Sequence, residues 1–135
     1  MFRPGLLSHL RHLAVSVVAG AAVGLLVLTA PAPAAAPARI SVAPSTVSSG
    51  GTAVFSGRVP ARGAQSCPAA DAAILTSTAA LFPPSGIGPQ AARKPGGAFR
   101  IRYTVPASTP HGTYTVGVRC GGGNVGVHTT LKVTR

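Results

Sequence analysis

The chain has 135 residues, and its 12 Lys and Arg against one acidic residue give a formal net charge of +11. The length allows one domain, and a hydrophobic content of 46% argues against a wholly disordered chain despite 17 Gly and 13 Pro, because highly charged disordered chains are poor in apolar residues. A single acidic side chain excludes hydrolysis by a pair of carboxylates.

The N-terminal segment has the composition of a secretory signal peptide. Residues 1–12 are basic without an acid, residues 13–30 contain no charged side chain, and an Ala-Pro-Ala sequence ends at Ala34. This order of segments predicts a signal helix, a signal peptide over residues 1–34 and cleavage after Ala34. Residues 35–38 then form a disordered Ala/Pro linker. A retained membrane anchor is the alternative, since 18 apolar residues lie at the lower limit for spanning a bilayer.

Cys67 and Cys120 are the two cysteines of the chain. Export to the extracellular space or the cell envelope places them in an oxidising compartment, where a structural disulfide is expected. Neither has the C-x-x-C spacing or a neighbouring His that lowers a thiol pKa. The two residues are therefore interpreted as one structural bridge rather than as a redox pair.

Alternation of apolar and polar residues with period two predicts strands throughout residues 39–135. A hairpin turn is expected at Gly121–Asn124, because Gly and Asn adopt positive φ readily. A long irregular connection is expected over residues 79–97, which contain four of the prolines. The predicted strands cover residues 39–43 with a continuation at 45–47, 52–59, 72–77, 98–106, 113–120 and 125–133.

Six to seven short strands in about 100 residues predict an all-β, antiparallel β-sandwich. Because the strand that ends at Cys120 turns its apolar face inward and Cys67 lies in a loop, the bridge is expected to join the two sheets, or a loop to the opposite sheet.

Two motifs carry a resemblance to a known group of proteins. P-S-T-V-x-x-G-G spans Pro44–Gly51, and G-T-Y-x-V-x-V-x-C spans Gly112–Cys120. With the sequence between them, they make residues 39–134 similar to small secreted immunoglobulin-like domains of actinobacteria, which implies an immunoglobulin-like sandwich and export. A more distant likeness, in the V-x-P-S sequence at Val42–Ser45 and in the expected design of an exported β-sandwich, is to enediyne apoproteins such as neocarzinostatin. This likeness implies a small-molecule carrier.

The residue types that support catalysis are scarce and scattered. Asp71 is the one acid, His111 falls in a predicted turn, and His128 falls on the polar side of the last strand. This arrangement does not favour a Ser–His–Asp triad, and it does not provide the three or four ligands of a zinc site. We therefore expect a non-enzymatic protein without a metal or cofactor.

Positive charge is the strongest indication of a partner. If the last three strands are adjacent, one cationic outer face forms and favours anionic partners such as cell-envelope polymers, lipid or nucleic acid. Solubility and protection of strand edges are the alternative explanation. The face has no aromatic residue on which bases could stack, which lowers the case for nucleic acid. The predicted contacts are Arg100, Arg102, Arg119, His128 and Lys132.

Three apolar residues lie in the irregular connection over residues 79–97. Leu81, Phe82 and Ile87 either cap one end of the sandwich or form a contact loop for a ligand or peptide.

The sequence thus predicts a monomeric, secreted binding or cell-envelope module whose partner is an anionic polymer or another protein. The alternatives are a small-molecule carrier and the same domain held on a membrane by an uncleaved N-terminal helix.

Overall fold

The structure, a computed structural model, describes residues 29–135. Residues 29–38 have no regular secondary structure and are largely exposed. Residues 1–28 of the predicted signal peptide (residues 1–34), and with them nearly all of its apolar run, lie outside the described residues. Within residues 29–135, no helix has the length and apolarity needed to cross a bilayer.

All regular structure within residues 29–135 is β-strand, arranged in one sheet of three strands and one of five. The prediction of an all-β fold is therefore confirmed, and the two sheets are those expected of a sandwich. The strand orders are β1-β3-β6 and β2-β8-β7-β4-β5. The strands are β1 (Arg39–Ala43), β2 (Thr46–Ser48), β3 (Thr52–Arg58), β4 (Ala73–Thr76), β5 (Ile87–Ala91), β6 (Ala98–Thr104), β7 (Gly112–Cys120) and β8 (Gly123–Thr134).

Two short elements differ from the prediction. Residues 79–97 are not irregular throughout, because they contain β5, which pairs antiparallel with β4. The sequence of β5, Ile-Gly-Pro-Gln-Ala, does not predict a strand, because proline lacks the N–H group that pairs with a neighbouring strand. Within sheets, proline is found mainly in edge strands. β5 lies at such an edge.

The expected continuation of the first strand is a separate element. A bend at Pro44 and Ser45 separates β1 from β2. β1 pairs antiparallel with β3, whereas β2 pairs parallel with β8 in the other sheet. The chain therefore has eight strands among the described residues rather than six or seven, and its pairing is not purely antiparallel.

The core lies between the two sheets and is filled by the residues that the alternation placed inward. Phe55 of β3 stands opposite Ile101 of β6, and both are buried. Val116 and Leu131 supply the opposing layer from β7 and β8. Burial of these aliphatic and aromatic side chains is the main force that stabilises the fold.

Tyr114 fixes the start of β7. Its ring is buried, and its hydroxyl donates a hydrogen bond of 2.5 Å to the carbonyl of Pro110, four residues upstream. This arrangement is a tyrosine corner, in which a buried tyrosine near the start of a strand bonds the backbone of the preceding turn.

The predicted disulfide is present. Cys67 lies in the β3–β4 connection (residues 59–72) and Cys120 at the end of β7, with 6.0 Å between their Cα atoms. Both side chains are buried. The bridge joins a loop to the five-stranded sheet, which is one of the two arrangements expected from the sequence.

Reduction of this disulfide should lower the free energy of unfolding by about 4 kcal/mol. The bond closes a loop of 53 positions, and the chain-entropy estimate for a loop of that length gives this value. Urea unfolding of the oxidised and reduced protein measures the difference. The Cys67→Ala/Cys120→Ala variant, which has no thiol, provides the control and should show no response to the reductant. A loss below about 1 kcal/mol on reduction would contradict the expectation.

Candidate anion-binding surface

The five predicted anion-contact residues do not share one face. Arg100 and Arg102 lie on β6 in the three-stranded sheet, whereas Arg119, His128 and Lys132 lie on β7 and β8 in the five-stranded sheet. The expectation of one continuous cationic face was wrong because β6 pairs with β3 and not with β7. The chain between β6 and β7 crosses from one sheet to the other instead of forming a hairpin.

The outer side of the three-stranded sheet is nevertheless more basic than predicted. Phe99 and Ile101 are buried, so Arg100 and Arg102 project from the opposite side of β6 and are exposed. The same alternation turns Arg58 of β3 and Arg39 of β1 to this outer side. We call this surface the arginine face; it consists of Arg39, Arg58, Arg100 and Arg102.

Two of these arginines stand directly opposite each other. Arg39 of β1 and Arg58 of β3 are register partners, and like charges in that position destabilise a sheet. Asp71 is the single acidic residue of the chain, and it lies in the β3–β4 connection near Gly121, not on the arginine face. The repulsion on this face is therefore not relieved by a carboxylate side chain of the protein.

A cleft of about 520 Å³ adjoins the arginine face. Arg58, the last residue of β3, contributes to both, while Arg62 and Lys94 bring two more cations from the β3–β4 connection and from the turn between β5 and β6. The rest of the lining is mostly small and apolar, and includes Ala61 and Pro95. The cleft thus combines positive charge with an apolar wall.

Arg93 also borders the cleft, but its guanidinium donates hydrogen bonds to backbone carbonyls of the protein. The Nε atom donates to the carbonyl of Asp71 at 2.9 Å, and Nη1 donates to that of Val59 at 2.6 Å. Nη2 donates to the carbonyls of Cys67, at 3.1 Å, and of Pro68. One side chain therefore holds both ends of the β3–β4 connection beside the disulfide. Nothing in the local sequence distinguishes Arg93 from the neighbouring Lys94, so the pattern alone could not find this role.

The outer side of the five-stranded sheet carries a second, shallower group of polar residues. Arg119 and His128 border a depression of about 390 Å³ with Gly117 between them. A Cβ atom at Gly117 would lie 3.1 Å from Oγ1 of Thr76 and 3.2 Å from Cδ2 of His128, so glycine keeps the depression open. Lys132 is exposed on the same strand as His128. This half of the predicted contact set is separated from Arg100 and Arg102 by the core.

The predicted contact loop divides into buried and exposed residues. Leu81 and Phe82 are 0% and 2% exposed, whereas Ile87 is 42% exposed. The Phe82 ring meets Tyr103 edge-to-face at 5.0 Å, and the Tyr103 hydroxyl donates a hydrogen bond of 2.6 Å to the Leu81 carbonyl. Leu81 and Phe82 therefore cap one end of the core, which leaves Ile87 as the exposed apolar residue of the set. Burial also raises the pKa of the Tyr103 hydroxyl.

Within residues 29–135, no three His, Cys, Asp or Glu side chains are grouped so that they could hold a metal ion. Comparison of the sequence with known protein families and with curated proteins finds no match.

Among solved structures, the chain is similar to a Pseudomonas fluorescens alkylpurine DNA glycosylase, AlkC, bound to DNA containing an abasic site analog. The match covers 73% of this chain, with 14% sequence identity and a TM-score of 0.41. It spans 30% of the glycosylase chain. No function follows from a likeness of this size.

Replacing Arg93 with Met should destabilise the fold by about 3 kcal/mol, because several partly buried carbonyls lose a charged donor at once. The matched control is Lys94→Met, which removes the same charge from the next, exposed residue and should change stability by less than about 0.5 kcal/mol. Urea unfolding of both variants measures the difference. Equal effects would show that charge, and not the carbonyl contacts, accounts for the role of Arg93.

Replacing Tyr103 with Phe removes the hydroxyl donor to Leu81 and should cost about 1 kcal/mol at neutral pH. Because the pKa of Tyr103 is raised, the folded state holds this proton more tightly than the unfolded state does. That contribution is complete below about pH 10 and is lost as the pH rises through the raised pKa. The stability gap between wild type and Tyr103→Phe should therefore narrow above pH 10 in urea unfolding. A gap that stays constant with pH would contradict this coupling.

Proposed function

We propose that this chain is an exported, non-enzymatic immunoglobulin-like module that binds an anionic polymer of the cell envelope through the arginine face. The observation that carries the proposal is the arrangement of that face, where four arginines share one side of a three-stranded sheet and the single acidic residue of the chain lies elsewhere.

The strand order supports an immunoglobulin-like assignment. In that fold, strands C, F and G form one sheet and A, B and E belong to the other, with C′ next to C in variable-type domains. Taking β1, β3, β4, β5, β6, β7 and β8 as A, B, C, C′, E, F and G places these seven strands in the expected sheets and order, with β2 added beside β8 and without a strand D among the described residues. The tyrosine corner at Tyr114 is a second feature of this fold. The position of Cys67, in a loop after β3 instead of on the strand, is a departure from antibody domains.

Export is supported by two independent features. The basic, apolar and small-residue segments of the N-terminal region follow the order of a signal peptide. The disulfide between Cys67 and Cys120 is of the kind that small domains keep in oxidising compartments.

Electrostatics favours an anionic partner over solubility as the purpose of the arginine face. Solubility does not require two arginines to lie directly opposite each other, as Arg39 and Arg58 do, because that arrangement destabilises the sheet. A bound polyanion relieves that repulsion and releases its own counterions, which makes the affinity depend on salt. Arg100 and Arg102, two residues apart on one strand, are separated by about 7 Å, which allows them to meet successive charges along a polymer.

Heparin, used as a model polyanion, tests the proposal. Arg100→Gln/Arg102→Gln should weaken binding and reduce the slope of log K against log salt by about 2, one unit for each lost contact. Arg119→Gln/Lys132→Gln provides the matched control, since it also removes two formal charges but from the opposite sheet. Its slope should remain that of the wild type.

Equal losses from the two pairs would show that net charge alone controls binding, and that the arginine face has no special role. Retention of the wild-type protein on isolated cell envelope at about 0.15 M salt, with loss of retention for Arg100→Gln/Arg102→Gln, extends the test from the model polymer to the proposed partner. Failure of the wild type to be retained would overturn the envelope assignment.

A further inference from the structure

The cleft beside the arginine face has a chemistry of its own. We propose that it binds a small phosphorylated molecule, with the phosphate group held by Arg58, Arg62 and Lys94 and an apolar body placed against the alanine and proline wall. This site is distinct from the proposed polymer-binding surface, because Arg58 is the one residue of the arginine face that also lines the cleft.

The three cations line the cleft from separate parts of the chain. Arg58 ends β3, Arg62 lies in the β3–β4 connection, and Lys94 lies between β5 and β6. The volume of about 520 Å³ is within the range of small-molecule sites and is larger than a phosphate group alone requires. The excess space is bounded by apolar residues such as Ala61 and Pro95. The site therefore fits an organic phosphate better than an inorganic ion.

Within the part of the chain that the structure describes, the donors of these cations have no hydrogen-bond acceptor, so a ligand can supply one. The side-chain hydrogen bonds among residues 29–135 include none from Arg58, Arg62 or Lys94, in contrast to the several made by Arg93. The guanidinium of Arg58 lies against Gly96, where a Cβ atom would be 3.2 Å from Nη2. Glycine at that position therefore lets the Arg58 head group lie along the wall of the cleft.

Hydrogen bonds and the disulfide connect two walls of the cleft to each other without a ligand. Arg93 belongs to the wall between β5 and β6, and its guanidinium donates hydrogen bonds to the carbonyls of Val59 and Cys67 in the β3–β4 connection, which forms the other wall. The disulfide attaches that second wall to β7. A site that keeps its shape without a ligand binds at a lower cost in conformational entropy.

The charge balance favours phosphate over carboxylate. A phosphate monoester carries about −1.5 to −2 charges at neutral pH and three acceptor oxygens, which matches three cationic donors. A carboxylate brings one charge and two oxygens. The lining contains no acidic residue that could hold a divalent cation, so the phosphate is expected to bind without a bridging metal ion.

Butyl phosphate is a suitable probe, tested by calorimetric titration of the protein expressed from its full sequence. Binding should be saturable with one site per chain, and Arg62→Gln/Lys94→Gln should weaken it by about tenfold or more, given the strength of charge-assisted hydrogen bonds. Arg100→Gln/Arg102→Gln removes the same charge from the arginine face and should leave the affinity within about twofold. Pentanoate, of similar apolar length, should bind more weakly than butyl phosphate, and inorganic phosphate should also bind more weakly.

Three results would overturn the inference: no saturable binding of butyl phosphate, equal weakening by the two pairs of substitutions, or pentanoate binding as tightly as butyl phosphate. Because the polymer test uses Arg100 and Arg102 and this test uses Arg62 and Lys94, the two proposals can fail separately. Loss of heparin binding by Arg100→Gln/Arg102→Gln with butyl phosphate binding retained supports both sites.

Discussion

The β3–β4 connection carries the chain from one sheet to the other, and its position depends on one cation among carbonyl oxygens. Arg93 donates to backbone carbonyls at both ends of this connection, and the disulfide at Cys67 secures its middle to β7. A charged donor shared among several carbonyls stabilises a loop that has no ladder of its own, because each unpaired and partly buried carbonyl would otherwise cost free energy. The cleft next to the arginine face exists because this connection is held where it is.

A chain with one acidic residue must place its cations without the help of ion pairs. Arg93 shows one solution, in which peptide dipoles replace a carboxylate. Arg39 and Arg58 show the opposite situation, since they face each other across two strands and no acidic side chain lies on their face. The pairing of Arg39 with Arg58 destabilises the sheet. In the proposed function, an anionic polymer or a phosphate group supplies the negative charge that relieves this repulsion.

The sandwich separates surfaces that differ in character. The arginine face lies on the three-stranded sheet, whereas Arg119 and His128 border a shallow polar depression on the five-stranded sheet. At one end, Phe82 and Tyr103 close the core instead of presenting an aromatic contact. The proposed recognition of an anionic partner therefore rests on charge at the sheet surface and in the cleft, and not on apolar contact at the loop tip.

The sequence by itself determined the all-β character and the inward faces of β3, β6, β7 and β8, because alternation with period two acts locally. It also determined the disulfide, because two cysteines allow one intramolecular pairing. It did not determine that β6 joins β3, that Ile87–Ala91 forms an edge strand, or that Arg93 holds the connection. Alternation tells which side of a strand is buried but not which strand lies beside it. The arginine face and the cleft join residues from distant parts of the chain, so the choice of sheet partner, made by packing of the common core, decided which cations meet.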